Sequence, residues 1–143
     1  MIRKYEITET IPIPHDCVIT GISVEHDYLI LSFEHELYTH ESIQSIHPSA
    51  NSLIMRFHLT RFPNTEVYRL YERKASRFHE KYRRLKDQEL FHLAGQKNTP
   101  LEYLYHFVGA REMIIHLCGK RSYVLYVCSD SVEYNWIESQ KFL

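Results

Sequence analysis

Ten histidines, three cysteines and eleven tyrosines are the side chains of this 143-residue chain that could hold a metal, attack an electrophile or move a proton. Their spacing decides which of these they can do. His35, Glu36 and His40 come nearest to a zincin motif, but the second histidine follows the first by five residues instead of four. On a helix that separation turns it about 140° away, so the two imidazoles cannot reach one ion from one face. No HxH pair exists, and His26-Asp27, His40-Glu41 and His79-Glu80 are sequence neighbours whose side chains diverge on helix or strand alike. Ligands gathered from distant segments stay open as an alternative. Cys17, Cys118 and Cys128 form no CxxC pair, and each lies in an apolar run (CVIT, IIHLC, YVLYVC). They read as packed, reduced thiols. GxSxG, P-loop and GxGxxG patterns are all missing, so no catalytic residue, metal or cofactor is expected.

Charge is the more informative feature. The formal net charge is −1, yet residues 1–50 hold two cations against eight carboxylates and residues 51–100 hold eleven against five. The basic excess gathers in Arg69, Arg73, Lys74, Arg77, Lys81, Arg83, Arg84 and Lys86, with Tyr71, Phe78 and Tyr82 interleaved. Such a stripe can track a phosphate backbone and stack on bases. Alternatively, the aromatics pack inward and the cations form a solvated face, which a pI of about 6.8 favours. The acidic N-terminal part could also complement the basic segment, within one chain or across a dimer.

Hydrophobic periodicity supplies the elements that would position these groups. Cys17–Val24 and Tyr28–Glu34 read as a hairpin across Glu25, His26 and Asp27, the second run alternating Leu29, Leu31 and Phe33 with polar or smaller neighbours. Leu53–Leu59 alternates Leu53, Met55, Phe57 and Leu59 on one face, and Val67–Arg73 follows as a strand after the Phe62–Thr65 turn. Ser76–Leu93 lacks glycine and proline, and Phe78, Tyr82 and Leu85 recur at spacings of four and three, so the one helix is expected there, capped by Gly95. Leu101–Val108, Arg111–Cys118 and Tyr123–Cys128 then form an antiparallel meander, with Val132–Ile137 as a fourth strand. A helix from Thr99 through Val108 is the competing reading of the first of these.

If Gly109-Ala110 is the first turn, Val108 pairs with Arg111 and His116 with Tyr103; if Cys118 pairs with Tyr123, His116 meets Leu125. This register places Tyr103, Tyr105, Phe107, Ile114 and Leu125 on one face and Leu104, Met113, Ile115 and Tyr126 on the other, both largely apolar. A sheet apolar on both sides needs a cover on each. The N-terminal strands supply one; the helix or a second subunit supplies the other. His106 and His116 fall among apolar side chains, where a neutral imidazole bonded to a backbone or tyrosine oxygen is the expectation.

With 44% hydrophobic and 24% charged residues, the composition suits one ordinary domain over residues 1–143. No apolar run approaches the roughly 18 residues of a membrane span, and YEITET follows Lys4 where a secretory signal would be apolar, so the cytoplasm is the expected compartment. The run HDCVITGISVEHDYLILSFE and the closing VEYNW resemble patterns in small β-rich bacterial proteins of unknown function, some of which are similar to immunity proteins that neutralise a toxin by binding it. The resemblance implies a binding protein without catalysis and assigns no residue a role.

The expected fold is therefore mainly β (α+β): an antiparallel β-sandwich or partly open barrel of about seven or eight strands with one helix. The expected function is a non-enzymatic protein-binding module, homodimeric through an aromatic sheet face. Nucleic-acid binding through residues 69–86 is the alternative, and a small-ligand protein or enzyme with a His/Tyr site the third. Candidate binding residues are Arg69, Arg73, Arg77, Lys81 and Arg84 on the basic segment and Tyr103, Tyr105 and His116 on the sheet.

Overall fold

The computed structural model describes residues 1–60, 66–75 and 80–139. Nine strands carry the fold: β1 (Ile2–Glu6), β2 (Cys17–Glu25), β3 (Tyr28–Phe33), β4 (Ala50–Leu59), β5 (Tyr68–Ala75), β6 (Glu80–Leu85), β7 (Leu101–Gly109), β8 (Glu112–Cys118) and β9 (Ser122–Glu138). A 3-10 turn (Leu37–Thr39) and α1 (Glu41–Gln44) fill the link before β4, and α2 (Asp87–Leu93) precedes β7. All nine strands belong to one antiparallel sheet, so the protein is mainly β with short helices, as its alternating runs require.

The long β9 organises the sheet. Its first half pairs with β8 on one edge and β5 on the other; its second half pairs with β1 and β4. Because β4 continues through β3, β2 and β7 to β8, the hydrogen-bonded path leaves β9 and returns to it. The β5–β6 hairpin and β1 extend outside that circuit. Tyr123–Cys128 and Val132–Ile137, expected as separate strands, are thus one element, irregular where Ser129 meets Leu59. Inward residues of every circuit strand build one core, with Leu29, Leu31, Met55, Phe57, Ile115, Leu125 and Tyr134 all fully buried. Apolar burial at about 25 cal/mol per Å² is its main stabilising contribution.

The β2–β3 hairpin forms where the alternation places it, with Glu25 opposite Tyr28 and His26 in the left-handed region at φ 54°. Residues 101–109 are strand, which settles the choice between strand and helix there.

The helix expected over Ser76–Leu93 is corrected from Glu80 onward, Ser76 to His79 lying outside the described residues: 80–85 form β6, paired with β5, and among the described residues of that range only Asp87–Leu93 are helical. Leu85 lies opposite Leu70 and both are buried, a cross-strand contact that overrides helix propensity. The meander registers also differ. Gly109 pairs with Glu112 around Ala110-Arg111, with Arg111 at φ 58°, so Tyr105 and not Tyr103 faces His116. Cys118 pairs with Ser122 across a loop one residue shorter than expected, so His116 meets Val124. A one-residue slip moves every β9 side chain to the opposite face. Tyr123, Leu125 and Val127 therefore join Met113, Ile115 and Leu117 in the core, while Val124 and Tyr126 turn outward.

Candidate functional site

The outward residues of β6, β5, β9, β8 and β7 line up across the sheet in two rows. The first runs Arg84, Tyr71, Val124, His116, Tyr105, and the second Arg69, Tyr126, Ile114, Phe107. Period-2 alternation on five neighbouring strands makes this a continuous aromatic face with arginines at the hairpin end. Tyr82, opposite Arg73 on the same side of the hairpin, extends it.

Ring contacts tie the rows together. Tyr105 stacks on His116 at a centroid distance of 4.5 Å, Phe107 meets the edge of His116 at 5.9 Å, and Tyr71 meets Tyr126 edge-on at 5.6 Å. The Arg69 guanidinium sits 4.7 Å over the Tyr126 ring and is held by Glu112 at 2.9 Å. Arg84 sits 5.7 Å over Tyr71, paired with Glu66. Each cation is thus fixed flat against an aromatic wall. Phe107 remains 58% exposed and Tyr105 39% at the β7 end of the face, and Tyr82 52% at the β6 end, so no part of the described chain covers these rings.

A cleft of about 390 Å³ opens between the hairpin and β8, lined by Arg69, Tyr71, Tyr82, Ile114, His116, Val124 and Tyr126. Burial holds the His116 imidazole below its ordinary value, so it is neutral near pH 7. Its ring stacks on Tyr105 and meets Phe107, and no hydrogen bond to it forms among the described residues.

One ion cluster anchors the hairpin. Glu72, buried on the inner side of β5, accepts from Arg83 at 3.2 Å and from Arg121 in the β8–β9 loop at 2.5 Å. Burial works to raise its carboxyl, but the two guanidinium hydrogen bonds outweigh burial and hold it below the usual carboxylate value. The hairpin and the loop are thereby locked in one position.

Of the residues singled out in the sequence, Arg69, Arg73, Arg84, Tyr105 and His116 do share the outer face. Lys81 does not: it lies opposite Lys74 on the other side of the hairpin. Arg77 lies outside the described residues. Tyr103 is fully buried in the core, its hydroxyl donating to His106 Nδ1 at 2.5 Å while His106 Nε2 donates to the Ile11 carbonyl at 3.1 Å. A register shift between Tyr103 and Tyr105 lets Tyr103 and His106 face the core three residues apart. His106, held below its ordinary value by burial, is a satisfied core imidazole. Sequence reasoning placed Tyr126 and Val124 on the opposite side from Tyr105 and read Tyr82 as part of a helix. The run EKYRRL carries no period-2 apolar signal that could have moved Tyr82 to a strand.

Other polar clusters have plain structural roles. His47 stacks on Trp136 and shares the Glu138 carboxylate with Ser49. His58 pairs with Asp130 at 2.8 Å beside Tyr28. Burial is the largest cause, with the Glu34 charge next, of the Cys17 thiol being pushed up to about 12, which removes it as a nucleophile. Among the described residues no group of His, Cys, Asp and Glu side chains could hold a metal ion, and no helix is long and apolar enough to cross a membrane. No protein-family model, curated protein or solved structure matches this chain, so its outer aromatic face is the feature from which a function has to be argued.

Proposed function

We propose that this protein is a non-enzymatic protein-binding module that self-associates through the β7–β8 end of its outer face. The observation that carries the reading is the exposure of Phe107 and Tyr105 side by side on a rigid sheet. Phe107 and Tyr105 together leave roughly 200 Å² of ring surface open, taking about 200 Å² for each full side chain. Contiguous exposed aromatic surface on a sheet is a common mark of an interaction site. Aromatic side chains on strands suit a partner surface because they bury area at little entropic cost, and a second copy offers the same patch across a two-fold axis. The charges nearest this end are balanced, Glu112 answering Arg69, so two copies meet there without like-charge repulsion. Cys17, Cys118 and Cys128 are free thiols, which suits the reducing cytoplasm.

The test is light scattering on the purified chain across micromolar concentrations, with Phe107→Ser beside it. The reading expects a dimer that the substitution converts to monomer without loss of fold. A wild-type monomer throughout the range refutes self-association.

A further inference from the structure

We propose that the β5–β6 end of the outer face is a docking platform for single-stranded nucleic acid, bases stacking in the aromatic cleft and phosphates lying along the cations beside it. This reaches beyond the self-association above, which uses the β7–β8 end. The argument starts from two adjoining clefts. The first, about 390 Å³, has three tyrosine walls (Tyr71, Tyr82 and Tyr126) and His116 at its inner side, room for a planar ring against rings. Every base has a π-face, so such a surface accepts a strand without needing a defined sequence. The unbonded imidazole of His116 supplies a donor and an acceptor for a base edge.

The second cleft, about 560 Å³, is lined by Arg73, Lys74, Arg121 and Ser122. Arg73 follows Tyr71 by two residues on β5 and Ser122 precedes Val124 by two on β9, so these two carry the aromatic face to the rim of the basic cleft, which Lys74 and Arg121 line from the other side of the hairpin. Two residues of strand span about 7 Å, a separation that a nucleotide bridges between base and phosphate. Glu72 is shared by two guanidiniums, Arg83 and Arg121, so that cluster keeps an uncompensated positive charge next to Arg73 and Lys74. Across β5 and β6 the cations are Arg69, Arg73, Lys74, Lys81, Arg83 and Arg84, against the carboxylates Glu72 and Glu80 alone. Arg69 and Arg84 pair with Glu112 and Glu66 and sit over the Tyr126 and Tyr71 rings.

A second copy of this chain fits this end poorly. Across a two-fold axis Arg73 and Lys74 would meet their own equivalents, and that repulsion opposes the contact. A polyanion with flat apolar bases complements both clefts at once.

The test is fluorescence anisotropy with short labelled oligo(U) and oligo(dT), titrated from low to high salt. Expected are binding whose log affinity falls with log salt by about 0.7 per phosphate contacted, a loss of about ten-fold on Tyr82→Ala, none on Tyr82→Phe, and a shallower salt slope on Lys74→Ala. Tyr82 is half exposed, so its truncation leaves the core intact. The proposal is overturned by no binding at low salt, by binding that Tyr82→Ala leaves unchanged, by duplex competing as well as single strand, or by free uridine phosphate matching the oligonucleotide.

Discussion

Replacing Glu72 tests how the hairpin that carries half of the aromatic face is held. Its carboxylate accepts from Arg83 and Arg121 while its own side chain is 7% exposed. A hydrogen bond to a charged group contributes about 1.5–3 kcal/mol when fully sheltered. Both guanidiniums are about half exposed, at 54% and 52%, so water recovers them when the carboxylate is removed. That discount brings the pair of bonds to about 2 kcal/mol for Glu72→Ala and about 1 kcal/mol for Glu72→Gln, which keeps one acceptor. For a chain of this length about 2 kcal/mol lowers Tm by about 6 °C.

The pH dependence has a definite sign. Glu72 is held below the usual carboxylate value in the folded chain. Above that usual value both folded and unfolded chains carry the charge, and the full contribution is present. As pH falls, the unfolded chain takes the proton first, so the contribution shrinks and is gone below the folded value. Urea denaturation of wild type and Glu72→Gln from pH 7 to pH 3 should therefore show two stabilities that converge with acid. Amide exchange adds a local readout: β6 should exchange faster in the variant while β8 keeps its protection. A stability difference that stays constant over that range, or a Glu72→Ala protein as stable as wild type, refutes the anchoring role.

Four further outcomes follow from the register and the core. Leu125→Ala should cost about 3 kcal/mol, since Leu125 is fully buried, whereas outward Tyr126→Ala should cost clearly less; equal losses in denaturation would mean the β8–β9 register is wrong. Tyr103→Phe leaves His106 Nδ1 buried without its donor and should cost about 1.5 kcal/mol, measured by thermal melting. Burial holds His106 below its ordinary value, so the unfolded chain binds a proton that the folded chain refuses. Wild-type stability should accordingly fall as pH drops below the ordinary imidazole value, and His106→Gln should flatten that fall. Cys17, with a thiol near 12, should resist a thiol reagent until the chain unfolds, while the half-buried Cys118 and Cys128 react in the native state.

How far the sequence was legible depended on whether a local rule or a pairing decided the element. The β2–β3 hairpin and β4 were readable because alternation and turn residues agree, and tertiary pairing added nothing that contradicted them. Phe78, Tyr82 and Leu85 misled because spacings of four and three are helical, while the pairing of Leu70 with Leu85 that makes 80–85 a strand is invisible without the partner. The fold itself brings Arg69, Arg73 and Arg84 onto one face, since Tyr71 and Arg84 meet across the hairpin and β5 alternates around Tyr71.

The meander failed differently. Its strands were right, but a loop shorter by one residue at Gly119–Arg121 and an irregularity between Tyr103 and Tyr105 exchanged faces for Tyr103, Leu125 and Tyr126. Loop length and bulges are set by how strands dock, and single-sequence alternation carries neither. The sheet that reads as apolar on both sides is so because its inner face is the core and its outer face is a surface of tyrosines, a phenylalanine and a neutral histidine. That second apolar side is what the apolar residues on both faces of the expected meander already pointed to, and in the fold it is backed by Arg69 over Tyr126, Arg84 over Tyr71 and the Glu72 cluster beneath the hairpin.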